Sequence, residues 1–194
     1  MDEARRRNRR VVLLLGALFL APVLIAFVLY YGRVWHPAGS TSKGELISPA
    51  RPLAAADLRN PDGSPASLDL LKDKWTLLYI GDGGCDEDCR TALVFARQSR
   101  LALNNEMTRV QIALLATANC CQSKDIEQAV PGIRLLDASS PGAAPLLAQF
   151  DGDRRHSLYI VDPLGNLMMR HDAAHTSKDL LTDLKKLLKL SHIG

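Results

Sequence analysis

The chain has 194 residues, a formal net charge of +3 and 23% charged residues, which is typical of a protein with one folded domain of ordinary size. More than the whole net charge comes from five N-terminal arginines: Arg5, Arg6, Arg7, Arg9 and Arg10. The remainder is close to neutral, and no basic run interleaves with aromatic residues, which argues against nucleic-acid binding. The sequence also contains no phosphate-binding loop and no Ser-His-Asp arrangement.

An uncharged apolar run follows these arginines and covers residues 11–31. As a helix, which rises about 1.5 Å per residue, it spans roughly 30 Å, the thickness of the hydrocarbon core of a bilayer. Arginines crowded at one end retain that end in the cytoplasm. The sequence therefore predicts a cytoplasmic basic tail at 1–10, a transmembrane helix at 11–31 and export of everything beyond it.

A cleaved signal peptide is the main alternative for this N-terminal segment. Signal peptides have an apolar core of about 7–15 residues that ends in a small-residue cleavage site. Here the run is longer and the sequence GRVWHPAGS that follows it offers no such site. We therefore expect an uncleaved single-pass anchor in the inner (cytoplasmic) membrane, with the exported domain in the periplasm.

The exported part divides into a linker and a domain. Residues 32–51 are rich in Gly, Ser and Pro and lack apolar periodicity, which predicts a linker. Residues 52–194 are expected to form the domain. It starts with a turn at Asn60-Pro61-Asp62-Gly63 between short strands and a single helical turn at 68–71.

The order of the remaining elements predicts the fold class. Apolar runs at 75–81 and 110–116 indicate strands buried on both faces, 133–136 indicates an edge strand, and 157–161 with 166–170 indicates a hairpin. Helices are predicted from the Cys85 loop to about 104, at 125–130, at 143–150 and from about 176 onward, the last with a leucine stripe. This α/β order predicts a thioredoxin-like domain, a central mixed sheet flanked by helices, with its site at the strand-to-helix loops.

Cys85 and Cys89 are the most informative residues, because they lie where a buried strand passes into a helix. A thiol at a helix N-terminus faces unpaired amides that stabilise a thiolate. Cysteines four residues apart on a helix face the same way. The pair is therefore predicted to be redox-active or to bind one soft metal ion, and a static disulfide is the alternative. The residues between the cysteines are all acidic: Asp86, Glu87 and Asp88. Their negative charge is expected to raise the thiol pKa, which disfavours a strong oxidant.

Three further residues are candidates for the same site. His156 begins the strand before the turn at 162–165, where an imidazole would complete a Cys-Cys-His set for Cu(I), or else be an ordinary solvated histidine. Cys120 and Cys121 follow the second buried strand at the same end of the sheet. Adjacent cysteines rarely bond each other. They are interpreted as small loop residues, or as a resolving thiol or extra ligand for Cys85 and Cys89.

Several segments resemble the Sco/SenC family of membrane-anchored, thioredoxin-like copper chaperones of cytochrome c oxidase assembly. The segment LRNPDGSPASLDLLKDKWTLLYIGDGGCDEDC is similar to the family's turn, strand and C-x-x-x-C loop, and LYIVDPLGNL is similar to its hairpin. The ending looks closer still to short, divergent proteobacterial members. Arg154 holds the position of the family's metal-binding histidine, and His156 lies two residues later.

The resemblance implies a role in assembling a haem-copper oxidase. Cys85 and Cys89 would be the redox-active pair and would bind Cu(I), with His156 as a third metal ligand and an oxidase subunit or another membrane assembly factor as partner. Two alternatives stay open. One is a general cell-envelope thiol–disulfide oxidoreductase without metal, and the other is a non-catalytic thioredoxin-like interaction module with a structural disulfide.

Overall fold

The computed structural model describes residues 2–32, 42–121, 124–150, 157–172, 177–191 and 193. The chain divides into two compact units, Met1–Gly39 and Ser40–Gly194. His156 lies outside the described residues.

In the N-terminal unit the structure describes a helix, α1 (Asp2–Tyr31), which contains Pro22. Its segment Arg7–Leu29 has a mean hydropathy of 3.0, and none of its most apolar stretch is buried in the protein. Its 23 residues measure about 34 Å as a helix, so this segment is long and apolar enough to cross a bilayer. Within the residues that the structure describes there is thus one candidate membrane helix, at the N-terminus, as the sequence predicts.

An eight-stranded mixed sheet forms the centre of the second unit. Its strands are β1 (Glu45–Pro52), β2 (Leu58–Arg59), β3 (Pro65–Ala66), β4 (Trp75–Asp82), β5 (Val110–Ala118), β6 (Arg134–Asp137), β7 (Ser157–Val161) and β8 (Asn166–Asp172). They lie in the order β1-β8-β7-β4-β5-β6-β2-β3. Neighbours are parallel in the pairs β4–β5 and β5–β6, and antiparallel in the others.

Helices cover both faces of this sheet, as expected for the thioredoxin-like fold. They are α2 (Glu87–Leu101), α3 (Lys124–Ala129), α4 (Ala144–Leu147) and α5 (Ser177–Leu190), with 3-10 turns at Leu68–Leu71, Asn104–Arg109 and Pro141–Ala143. Because side chains alternate along a strand, Leu77 and Tyr79 pack on the side of α2 and α5, whereas Leu78 and Ile80 pack on the side of α4. The apolar run of β4 therefore serves two cores at once.

Two segments differ from the sequence-based expectation. Residues 45–51, expected in the linker, belong to β1, which pairs with β8 and contains a cis bond at Ser48–Pro49. Most of β1 is exposed, so it shows none of the alternating apolar pattern that identifies a strand. Strand β6, expected at an edge, is covered by the β2–β3 hairpin through the pair Arg59–Asp137.

A buried carboxylate attaches the start of β1 to α5. Asp183, which is 1% exposed, accepts hydrogen bonds from the backbone N–H groups of Lys43 (2.7 Å) and Gly44 (2.8 Å). Its Oδ2 also lies 3.3 Å from Nε2 of the buried His171. A Cβ at Gly44 would lie 2.6 Å from that Nε2, so only glycine fits beneath the imidazole. This polar cluster fixes the chain at its entry into the domain.

Asp183→Ala should therefore lower the free energy of unfolding. It leaves the buried N–H of Gly44 and the partly buried N–H of Lys43 without their acceptor, which costs about 2–4 kcal/mol. The measurement is chemical denaturation of the full-length protein in detergent, followed by near-ultraviolet circular dichroism. Lys185→Ala, on the exposed side of the same helix, is the matched control and should change stability by less than about 0.5 kcal/mol. Equal stability of the two variants would show that the cluster contributes nothing.

Candidate functional site

The loop from β4 to α2 carries Cys85 and the first turn of α2 carries Cys89. Two aspartates shape this junction. Asp82 accepts hydrogen bonds at its side chain from Gly84 N–H (2.7 Å) and at its carbonyl from Cys85 N–H (3.1 Å). Asp86 is the N-cap of α2 and accepts from Cys89 N–H at 3.0 Å. Aspartate is among the preferred N-cap residues because its side chain satisfies an otherwise unpaired helix amide. The local sequence thus sets where the helix begins relative to both cysteines.

Cys85 and Cys89 form a disulfide, with their Cα atoms 5.1 Å apart. Cys85 has φ +51°, a left-handed conformation that is uncommon for a residue with a side chain and recurs at functional sites. The structure therefore brings together the two cysteines that the sequence selects. It shows them in the oxidised state, so binding of a metal requires reduction to thiolates first.

Both cysteines of this pair are buried. Cys85 is 3% exposed and Cys89 is 1% exposed, and both belong to the core on the α2 side of the sheet. A protein thiol or a metal ion therefore reaches these sulfurs only after the surrounding loops move.

The second cysteine pair follows β5 and is also bonded. Cys120 and Cys121 form a disulfide in a tight turn where Asn119 has φ +47° and Cys121 has φ +67°. Adjacent cysteines rarely bond each other, yet these two do, and the two left-handed residues provide the sharp turn in which the bond occurs. In contrast to the first pair, Cys120 and Cys121 are partly exposed.

The two cysteine loops are in direct contact. Gly83 N–H donates to the carbonyl of Ala118 at 2.8 Å, and the Asn119 side-chain amide donates to Asp82 Oδ2 at 2.9 Å. A Cβ at Gly83 would lie 2.6 Å from the Asn119 carbonyl oxygen and 2.7 Å from Cys120 Cα. Only glycine permits this approach, because both neighbours are backbone atoms. Neither Gly83 nor Asn119 is predicted from the sequence to belong to the site, although each lies within two residues of a cysteine.

The histidines do not complete a metal site within the described part of the chain. There, no group of three or more His, Cys, Asp and Glu side chains converges as metal ligands would. His171 is buried beside Asp183 and serves the β1 attachment instead. His156 as third ligand stays a prediction. The described part of its predicted strand begins at Ser157, and Leu158 pairs with Tyr79 near the end of β4 that leads to Cys85.

Sequence comparison assigns the chain to a family. A family model described as "transmembrane-like, thioredoxin-like, C-terminal domain" matches residues 75–191, more than half of the chain. The chain belongs to this family. No curated protein sequence matches it significantly.

Solved structures show what fold this family member has. Apo Sco1 from Thermus thermophilus superposes with a TM-score of 0.60 at 21% identity, over 77% of this chain and 99% of that one. Yeast Sco1 with copper bound gives 0.59 at 16% identity, over 78% and 95%. BsSco, described as a Sco-family cytochrome c oxidase assembly protein with a disulfide switch, gives 0.54 at 18% identity, over 76% and 98%. The Sco/SenC likeness and the thioredoxin-like fold predicted from sequence are confirmed.

The close approach of the two loops at Gly83 predicts how a substitution there changes the stability of the domain. Gly83→Ala should lower the free energy of unfolding of the oxidised protein by about 1–3 kcal/mol, because the new methyl group overlaps backbone atoms that have no room to yield. Chemical denaturation of the full-length protein in detergent provides the measurement. The control is Gly84→Ala, whose Cβ would meet only the Asp82 side chain, at 3.1 Å. Equal loss in both variants would contradict a specific role for the Gly83 contact.

Proposed function

We propose that this protein is a membrane-anchored accessory factor in the assembly of a cytochrome c oxidase, a haem-copper oxidase. The observation that carries this proposal is the Cys85–Cys89 pair at the start of α2 on a Sco-type fold. Structures of that fold include Sco proteins with copper bound, and one relative is described as an oxidase assembly protein. The partner is an oxidase subunit or another membrane assembly factor.

Cys85 and Cys89 cycle between disulfide and dithiol in this proposal. Reduction takes two electrons and two protons and gives two thiols. These release their protons on binding, because the thiolate is the soft ligand that Cu(I) prefers. The Cα atoms of the two cysteines lie 5.1 Å apart, close enough for both sulfurs to bind one ion. His156 supplies a third, imidazole ligand. Copper is cargo here, bound by the reduced pair and passed to the client.

The acidic residues around the pair fit copper capture better than strong oxidation. Asp86, Glu87 and Asp88 precede Cys89 in the first turn of α2, where their charge opposes the stabilisation of a thiolate by the helix N-terminus. A poorly stabilised thiolate makes a disulfide less oxidising. The same negative charge favours an approaching cation.

The anchor fixes the place of action in this proposal. Arginines before the apolar segment favour a cytoplasmic N-terminus, so the domain faces the periplasm while attached to the inner membrane.

A non-catalytic module with a structural disulfide is the second candidate. It is favoured by the burial of Cys85 and Cys89 in the core, at 3% and 1% exposure. Its signature is a reduction potential below about −300 mV for this pair, whereas a cycling pair has a higher value.

Copper binding tests the main proposal. In a Cys120→Ser/Cys121→Ser background, the reduced, anaerobic full-length protein should bind one Cu(I) per chain in competition with a colorimetric chelator. Adding Cys85→Ser/Cys89→Ser should weaken binding at least 100-fold, because both thiolate ligands are lost. His156→Ala should weaken it by a smaller factor. Undiminished affinity without Cys85 and Cys89 would refute the copper proposal.

Membrane topology has its own test. In cells, the full-length protein should stay with the membrane after alkaline carbonate extraction, and protease added to spheroplasts should digest the domain. Replacing the five N-terminal arginines by glutamine should reduce the digested fraction, because the charge bias that sets orientation is removed. A domain that is protected in spheroplasts of wild type would place it on the other side.

A further inference from the structure

Two disulfides with opposite accessibility lie in adjoining loops. Cys85 and Cys89 are buried, whereas Cys120 and Cys121 are partly exposed. A reductant arriving from solvent therefore meets the Cys120–Cys121 bond first. An external thiol can therefore attack the Cys120–Cys121 bond directly, whereas the Cys85–Cys89 bond is shielded from it.

The distance between the loops limits the movement that exchange requires to at most about 8 Å. Gly83, whose Cβ would lie 2.7 Å from Cys120 Cα, is two residues from Cys85. With consecutive Cα atoms 3.8 Å apart, the Cα atoms of Cys85 and Cys120 lie within roughly 12 Å of each other. A disulfide needs about 4.4–6.8 Å. The intervening Gly83-Gly84 gives the chain the backbone freedom to close the difference.

Hydrogen bonds fix the position of one cysteine loop relative to the other. The Asn119 side chain bonds to Asp82, and the Asp82 carbonyl accepts from Cys85 N–H. Thr117 also donates from its hydroxyl to the carbonyl of Gly81 at 3.2 Å. The turn that carries Cys120 is thus connected through one aspartate to the backbone of Cys85.

We propose that Cys120 and Cys121 form a second redox couple, which carries electrons from an external dithiol to the buried Cys85–Cys89 disulfide. The external dithiol reduces the Cys120–Cys121 bond and is itself oxidised to a disulfide. One of the two new thiolates attacks a sulfur of Cys85–Cys89 and displaces the other sulfur as thiolate. The second thiolate of the 120–121 pair then attacks the mixed disulfide. This step restores the Cys120–Cys121 bond and leaves Cys85 and Cys89 reduced, so two electrons and two protons have passed inward.

This relay goes beyond the proposed copper function and does not depend on it. It supplies the reduced state that copper binding requires, but every step is defined without metal. Copper capture by chemically reduced Cys85 and Cys89 would survive failure of the relay, and the relay would survive failure of copper capture.

Reduction kinetics provide the first test. The oxidised full-length protein in detergent is mixed with a small excess of dithiothreitol, quenched with acid, and each pair is followed by differential alkylation and mass spectrometry. In wild type, Cys120–Cys121 should open before Cys85–Cys89. In Cys120→Ser/Cys121→Ser, reduction of Cys85–Cys89 should be at least tenfold slower, with an unchanged near-ultraviolet circular dichroism spectrum as the folding control. An unchanged rate would overturn the relay.

Trapping of the mixed disulfide provides a second test that does not depend on rates. Four double variants keep one cysteine in each loop, by combining Cys85→Ser or Cys89→Ser with Cys120→Ser or Cys121→Ser. Mild oxidation should produce an intramolecular disulfide between the loops in at least one variant, identified by peptide mapping of the monomer. Adding Gly83→Ala to that variant should reduce its yield severalfold. Absence of the cross-link in all four would overturn the proposal.

Discussion

The parallel pairing of β4 with β5 is the constraint on which the site depends. From Trp75 opposite Val110 to Gly81 opposite Ala116, the two strands run in register and end at the same edge of the sheet. Parallel neighbours deliver their following loops to one edge, which is why ligand and redox sites of open α/β sheets lie there. Both cysteine pairs, distant in sequence, meet because of this pairing. The buried positions of β4 pack into two cores and hold the strand in the middle of the sheet.

Much of this arrangement is readable from the sequence because it rests on strong local patterns. The apolar runs of β4 and β5, the Asp162–Gly165 turn between β7 and β8 and the leucine stripe of α5 each carry a periodicity that specifies their element. The Cys85–Cys89 pair follows from its place at a strand-to-helix junction. The covering of β6 by the β2–β3 hairpin depends on a long-range pairing that no local pattern reports.

The features that the sequence does not predict are those in which a polar or small residue contacts backbone atoms that are far away along the chain. Asp183 lies among solvated lysines in the sequence, yet it is buried because it accepts two backbone hydrogen bonds from the other end of the domain. Gly83 reads as part of an ordinary loop, yet its missing side chain lets the second cysteine turn approach. Such requirements become visible only when both partners are placed in space. The bond between Cys120 and Cys121 is hidden in the sequence for a different reason, because it follows from the backbone conformation of that turn.

The position of β1 determines how the domain responds to mechanical load. The chain from the N-terminal unit enters the domain at Lys43 and Gly44 and continues into β1, a strand at the outer edge of the sheet. Tension on the chain at this point is therefore taken up by the β1–β8 ladder and the Asp183 cluster. Strands β8 and β7 separate that ladder from β4, whereas α5, which carries Asp183, packs in the same core as Cys85 and Cys89. A pull on the chain at Lys43 therefore reaches the cysteine core through α5 rather than through the sheet.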